Sequence, residues 1–211
     1  MTWKRALFIS FAGLAAGLIA AAGCPAFEAG DVQRTKIFKK CPNCDLSGAF
    51  IANETLNGAQ LQGAKMTGAN LYYTALNGAH LSGADMRGAN LSHTAMGEAS
   101  LSGANLTGAN VSESNLSGAD MTKADLTRVN LTGANLTGVN LTGANMTGAR
   151  LIRTNLRGAN LKGANLTGAR LTDARLIDAD LTGAILTGAM MDEAVWVDGK
   201  ICREGSTGSC R

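Results

Sequence analysis

From Leu46 to Trp196 a large apolar residue returns at every fifth position without a break. The occupants are Leu, Met, Ile, Val and finally Trp, and thirty-one phrases follow one another with no insertion. Two residues before each centre lies a smaller apolar site, filled by Ala in 23 of the 31 phrases. The remaining positions are mostly polar or Gly, so that Asn130 to Ala149 reads NLTGANLTGVNLTGANMTGA. A period of five matches neither the repeat of an α-helix nor the sustained alternation of a long strand. Within one phrase, however, residues two apart share a face of extended chain, which turns Ala and Leu inward and Asn and Thr outward. Gly two places after the centre suits a turn position of positive φ. Each phrase is therefore a short extended segment plus a turn, and it buries its apolar face only by stacking on copies of itself.

Departures from the pattern set the number of phrases per coil. Gly is replaced by Asn53, Tyr73, His93, Glu113, Arg153, Asp173 and Glu193, which is 7 of the 8 positions on one twenty-residue register, against 5 of 23 elsewhere. The small inner site has the same spacing, with Glu54, Thr74, Thr94, Ser114 and Thr154 in place of Ala. Twenty residues per coil means four phrases and four sides. With coils about 4.8 Å apart, the rod is roughly 37 Å long. The register of Tyr73 and His93, lacking Gly, is expected to use a different turn type.

The tandem phrases resemble the pentapeptide-repeat family, with its consensus A-(D/N)-L-x-x, over about three quarters of the chain. The resemblance implies an all-β fold, a right-handed quadrilateral parallel β-helix with four pentapeptides per coil. That hand agrees with the usual hand of parallel crossovers. Both ends of such a rod need caps. Asp31 is placed to N-cap a short capping helix running to Lys40, with Val32, Ile37 and Phe38 available to cover the first coil. Trp196 occupies the last centre, where a large ring can plug the axis. Cys41-Pro42-Asn43-Cys44-Asp45 resembles the starts, and the segment from Trp196 to Cys210 the C-terminal ends, of exported bacterial members of the family. The expected layout is a signal peptide over 1–26, a linker and capping helix over 27–43, the β-helix over 44–198, and a C-terminal cap with a disulfide loop over 199–211.

The net charge of +3 over 211 residues changes this picture little, because between Cys44 and Asp198 there are 10 Lys and Arg against 13 Asp and Glu. Most of the basic excess precedes residue 41, and no polybasic tract points to nucleic acid. Lys4 and Arg5 followed by the apolar run Ala6 to Ala22 have the form of a secretory signal. Export to the periplasm or medium of a bacterium is therefore expected. Two processing routes compete at its end. Cys24-Pro25-Ala26 allows ordinary cleavage, whereas Ala21-Ala22-Gly23-Cys24 resembles a lipobox that would leave Cys24 lipidated and the protein anchored to a membrane. Ala21 departs from the usual Leu of that motif.

Either route leaves Cys41, Cys44, Cys202 and Cys210, two local pairs of the kind a disulfide-permissive compartment favours. The Cys41/Cys44 pair has the CxxC spacing of redox motifs. A cap crosslink is the preferred reading, because Cys44 fills the inward small site of the first phrase and no thioredoxin-like βαβ pattern follows. A four-cysteine zinc site is excluded by the length of rod between the pairs.

His80 and His93 are the two histidines, and their registers place them on different faces. No catalytic, metal or cofactor constellation emerges, and an enzyme is not expected. Three non-enzymatic readings stand. The first is an exported rod that binds or spaces an unknown protein partner, with neither that partner nor the oligomeric state specified. The second is an ice-binding surface formed by the column Thr67, Thr107, Thr127, Thr147, Thr167 and Thr187, interrupted by Arg87. The third is the family's DNA mimicry in topoisomerase protection, which needs an acidic face that Arg150, Arg153, Arg157, Lys162, Arg170 and Arg175 oppose. Two lateral patches are candidate partner-binding sites. One holds Phe50, Tyr72, Tyr73 and His93. The other holds Arg150 and Arg170, one coil apart, with Arg153 beside them and Asp173 as an internal counter-ion.

Overall fold

The computed structural model describes residues 29–211, so the expected signal segment and Cys24 lie outside the described residues. From Lys40 onward, parallel bridges join residues twenty apart in four columns, which begin Lys40–Gln60, Asp45–Lys65, Phe50–Asn70 and Thr55–Ala75. Four columns at this spacing make a four-sided coil. Sides this short hold one bridged residue rather than a continuous strand. A four-residue turn consumes the rest of each phrase, as in Leu101 to Ala104, where the Ala104 N–H donates to the Leu101 carbonyl at 3.0 Å. The vertical bonds repeat just as regularly. The Leu101 N–H donates to the Asp120 carbonyl at 2.6 Å, and the Asp120 N–H to the Ala99 carbonyl at 2.9 Å.

Every corner from Asn43 to Glu193 has positive φ, whether or not Gly stands there. The expectation of a different turn on the register of Tyr73 and His93 is therefore corrected. Their φ values are 56° and 57°, and the same bond closes each turn, from the Thr74 N–H to the Leu71 carbonyl and from the Thr94 N–H to the Leu91 carbonyl. The coils above and below fix the corner on both sides. Local preference yields, at a cost of about 1–2 kcal/mol per non-Gly corner.

Every centre from Leu46 to Leu176 is buried, as are most of the small inner residues. Where the inner site is Thr or Ser its hydroxyl reaches a backbone carbonyl: Thr74 donates to Ile51, Thr94 to Leu91, Ser114 to Val111 and Thr154 to Leu131. A buried hydroxyl with a partner avoids the desolvation cost that would otherwise exclude it.

α1 spans Ala29–Phe38 and lies over the first coil. Its start precedes Asp31, which stands in the first turn instead of at the N-cap. The Asp31 carboxylate accepts the Asp45 N–H at 3.2 Å and so stands in for a missing coil. Val32 and Thr35 are the buried residues of α1, while Ile37 and Phe38 are 66% and 72% exposed and do not cover the coil. Lys36 pairs with Glu54 at 2.7 Å, which ties the helix to the rim.

At the other end the tail doubles back. Met190 bridges Thr207 and Val195 bridges Ile201, both antiparallel. The Asp180 and Ile185 sides of the last coil have no such cover among the described residues. Leu181, Ala184 and Leu186 are half-buried there, as is Trp196, so the plug is partial.

Candidate functional site

The lateral face built on the column Phe50, Asn70, Asn90, Asn110, Asn130, Arg150, Arg170 and Met190 carries both candidate patches. Coil stacking places Tyr73 directly under His93, with parallel rings 4.8 Å apart at an interplanar angle of 3°. Tyr72 meets both edge-on, at 4.7 Å from Tyr73 and 5.6 Å from His93. Both arrangements are favourable for aromatic quadrupoles. The Asn70 carboxamide oxygen accepts the Tyr72 N–H at 3.1 Å and steadies the chain beneath the rings. Phe50 is 66% and Tyr73 54% exposed, so α1 leaves this group open to solvent. Helix cover of the patch, by Ile37 or Phe38 against Phe50, is not what the fold contains.

Farther along the same face Arg150 and Arg170 are bridged neighbours, both exposed. Arg153 stands at the adjoining corner, one coil before Asp173, but the two form no ion pair. The nearby carboxylates pair on other columns, Asp178 with Arg157 at 3.6 Å and Asp180 with Lys162 at 3.1 Å. Thr182, through its hydroxyl and N–H, and then Lys162 hold the Asp180 carboxyl down at about 2. Arg87 likewise keeps Asp85 below the usual carboxylate range through a two-point contact, with one bond of 2.6 Å. These pairs are exposed, and solvent screening keeps each weak.

The outward Asn and Thr form a bonding scheme that residue-by-residue reading missed. In the column next to the threonines, the Thr107 hydroxyl donates to Asn105 at 2.7 Å, Thr127 to Asp125 at 2.6 Å, Thr147 to Asn145 at 2.7 Å and Thr167 to Asn165 at 2.6 Å. Several amides then reach the next coil, as Asn145 does to the Thr127 hydroxyl at 2.9 Å and Asn130 to Asn110 at 3.0 Å. The sequence signal was available in the recurrent Asn-x-Thr spacing, which brings acceptor and donor to the same side of an extended segment. The hydroxyl protons of Thr107, Thr127, Thr147 and Thr167 are thus committed within the rod, so these four of the six threonines in the column offer no free donor to solvent.

Cys41 is disulfide-bonded to Cys44, and Cys202 to Cys210. Asp31 lies close to the first pair, the one trio of potential metal ligands among the described residues. With both sulfurs in a disulfide it lacks the thiolates that bind metal.

A stacked four-sided coil in which each circuit bonds to the next, with a polar surface and isolated aromatic and cationic patches, defines a solenoid. Comparison with protein families matches it to "Pentapeptide repeats (8 copies)", with overlapping segments that together run from residue 42 to 195. The chain belongs to the pentapeptide-repeat family, whose members adopt the right-handed quadrilateral β-helix. No curated protein matches it in a sequence comparison. Among solved structures it is similar to Rfr23 of the cyanobacterium Cyanothece 51142, at 24% identity over 79% of this chain and 97% of that one, with TM-score 0.42. It is also similar to HetL of Nostoc sp. strain PCC 7120, involved in heterocyst differentiation regulation, at 30% identity over 83% and 100%, with TM-score 0.29. A third is QnrB1, a plasmid-mediated fluoroquinolone resistance protein, at 22% identity over 72% and 80%, with TM-score 0.43.

Proposed function

We propose that this chain is an exported, non-enzymatic rod that acts as a protein-interaction module, in the periplasm or medium of a bacterium. The observation that carries the reading is the uncovered group of Phe50, Tyr72, Tyr73 and His93 on an otherwise polar side of the rod. Clustered aromatics offer large contact area at little entropic cost and are favoured where proteins dock. The rest of the rod supports this role by holding the rings rigidly: their backbone is fixed by coils on both sides, so little ordering remains to be done on binding. Arg150, Arg153 and Arg170 extend the face with unpaired positive charge, which suits an acidic region of the partner. The committed Thr hydroxyls weigh against an ice-binding surface, and the arginines weigh against a DNA-like one. The test is recovery of a partner from the cell envelope with the wild-type protein and with Tyr72→Ser plus Tyr73→Ser. Loss of recovery at unchanged melting temperature supports docking. Unchanged recovery with a lower melting temperature makes the rings a structural element and ends the reading.

A further inference from the structure

The last coil is finished on two sides and bare on two. Along the bare sides the N–H groups of Leu181 and Leu186 and the carbonyls of Ala179 and Ala184 have no hydrogen-bond partner among the described residues. In every preceding coil the equivalent groups are bonded, as the Leu161 N–H is to Asp180 and the Ala159 carbonyl to the N–H of the same residue. The inner residues behind them, Leu181, Ala184 and Leu186, lose the full burial that Leu161, Ala164 and Leu166 have. Unpaired edge groups beside a partly opened core are the template for strand addition.

The tail that closes the other two sides has a free edge of its own. Ile201 and Thr207 bridge the last coil through their neighbours: the Lys200 and Ser206 carbonyls accept, and the Cys202 and Gly208 N–H groups donate. The N–H and carbonyl of Ile201 and of Thr207 therefore face away from the coil, and they too have no partner among the described residues. A residue that offers both groups on one edge is what each bare side lacks. Asp180 does the same service for the coil before it, giving its N–H to Ala159 and accepting from Leu161.

We propose that two copies of this chain join end to end, each tail completing the bare half of the other's last coil. The sides follow the order Asp180, Ile185, Met190, Val195. A two-fold axis across the rod end, along the diagonal through the Gly188 corner, exchanges the Ile185 side with the Met190 side and the Asp180 side with the Val195 side. The Ile201 edge of one copy then lies over the Asp180 side of the other, and the Thr207 edge over the Ile185 side. The same rotation reverses the sense in which the chain circles the axis. Each tail is antiparallel to its own coil, so it runs parallel to its partner's, as all successive coils in the rod do. The Ile201 N–H donates to Ala179 and its carbonyl accepts from Leu181; the Thr207 N–H donates to Ala184 and its carbonyl accepts from Leu186. The contact is isologous and closed, which ends growth at two copies. It is independent of the lateral aromatic face, so Tyr72→Ser plus Tyr73→Ser leaves it unchanged and either reading can fail alone.

Proline tests the pairing directly, because it removes an N–H that the single chain does not use. Sedimentation velocity of the oxidised protein across a concentration series reads the assembly, and amide exchange reads the Leu181 and Leu186 N–H groups. The expected result is a two-copy species with both amides protected. Ile201→Pro plus Thr207→Pro gives a single-copy species with both amides exchanging rapidly, while Ile201→Val plus Thr207→Ser behaves as wild type. A free-thiol count equal to that of the wild type and unchanged circular dichroism establish that the proline variant is folded. A single-copy wild type at every concentration overturns the proposal. So does a two-copy species that survives both prolines, and so does protection of the two amides in a single copy, which assigns the edge to another segment of the same chain.

Discussion

The two ends of the rod solve opposite halves of the capping problem. At the first coil α1 seals the axis: Val32 and Thr35 are buried over it, and Leu46 and Ile51 are as inaccessible as centres in mid-rod. Its backbone edge is served sparingly, chiefly by the Asp31 carboxylate on the Asp45 N–H. At the last coil the tail does the reverse, pairing backbone on the Met190 and Val195 sides while Leu181 and Leu186 stay half-open. Excluding water from a core and satisfying an edge are separate physical tasks. A helix laid across the end does the first, because its own bonds are internal. A strand does the second, because it brings donors and acceptors to the edge.

The sharpest way to break this comparison is to empty equivalent core sites at each end. Leu46→Ala is expected to cost about 2–5 kcal/mol, the usual range for a sealed leucine. In the single-copy Ile201→Pro plus Thr207→Pro background, where no partner tail covers it, Leu181→Ala is expected to cost less than about half as much, since its surroundings already admit solvent and leave less of a cavity. Denaturant midpoints measure both, and equal losses would mean that the last coil is closed as well as the first. Removing the second crosslink comes next. Cys202→Ser plus Cys210→Ser is expected to loosen the tail by about 2–3 kcal/mol, with faster amide exchange at Met191 and Glu193, whose N–H groups donate to it, and none at the first coil.

Corner substitutions have smaller effects. A methyl group has open space at Gly48, and at Gly188 meets nothing closer than the Gly168 backbone at 3.9 Å, so Ala at either costs about 1–2 kcal/mol through positive φ alone. For Gly48→Ala the loss is expected in the global melting temperature. For Gly188→Ala it is expected as fraying of the last coil, seen by limited proteolysis. The weakest effect is that of acid. The folded Asp180 carboxyl titrates at about 2, below its unfolded value, so its contribution is fully present above the unfolded value and is lost as pH falls through about 2. The C-terminal end should loosen first in that window, and Asp180→Asn should flatten the pH dependence of exchange there.

The coil itself was legible because its signal is written thirty-one times, and the deviant register of Tyr73 and His93 revealed the twenty-residue turn of the spiral. That register also places Tyr73 and His93 in one corner column, with Tyr72 beside them, where the rings meet. The turn geometry at those corners was misjudged for a physical reason: turn preference is a local property, whereas closure of the coil is imposed from above and below. The caps were read less well because they occur once each. Asp31 looks like an N-cap in sequence but serves a neighbouring coil, and Ile37 and Phe38 look like core yet point to solvent. Nothing in the residues from Gly199 to Arg211 announces an antiparallel return that covers two sides and leaves two bare.

The twenty-residue register also makes the molecule behave as a one-dimensional lattice. Each interior coil is bonded to its two neighbours and to nothing else among the described residues, so stability accumulates coil by coil. In a single copy, loss should travel the same way, starting at the half-open terminus and passing inward in steps of one circuit. A cassette of one full circuit cut from the middle, such as residues 101–120, would shorten the rod and still return Asn90 to Asn130 in the same column. A cut of five residues would rotate everything beyond it by a quarter turn. The aromatic rings and the arginines, which now share a face, would then look out from different sides of the same rod.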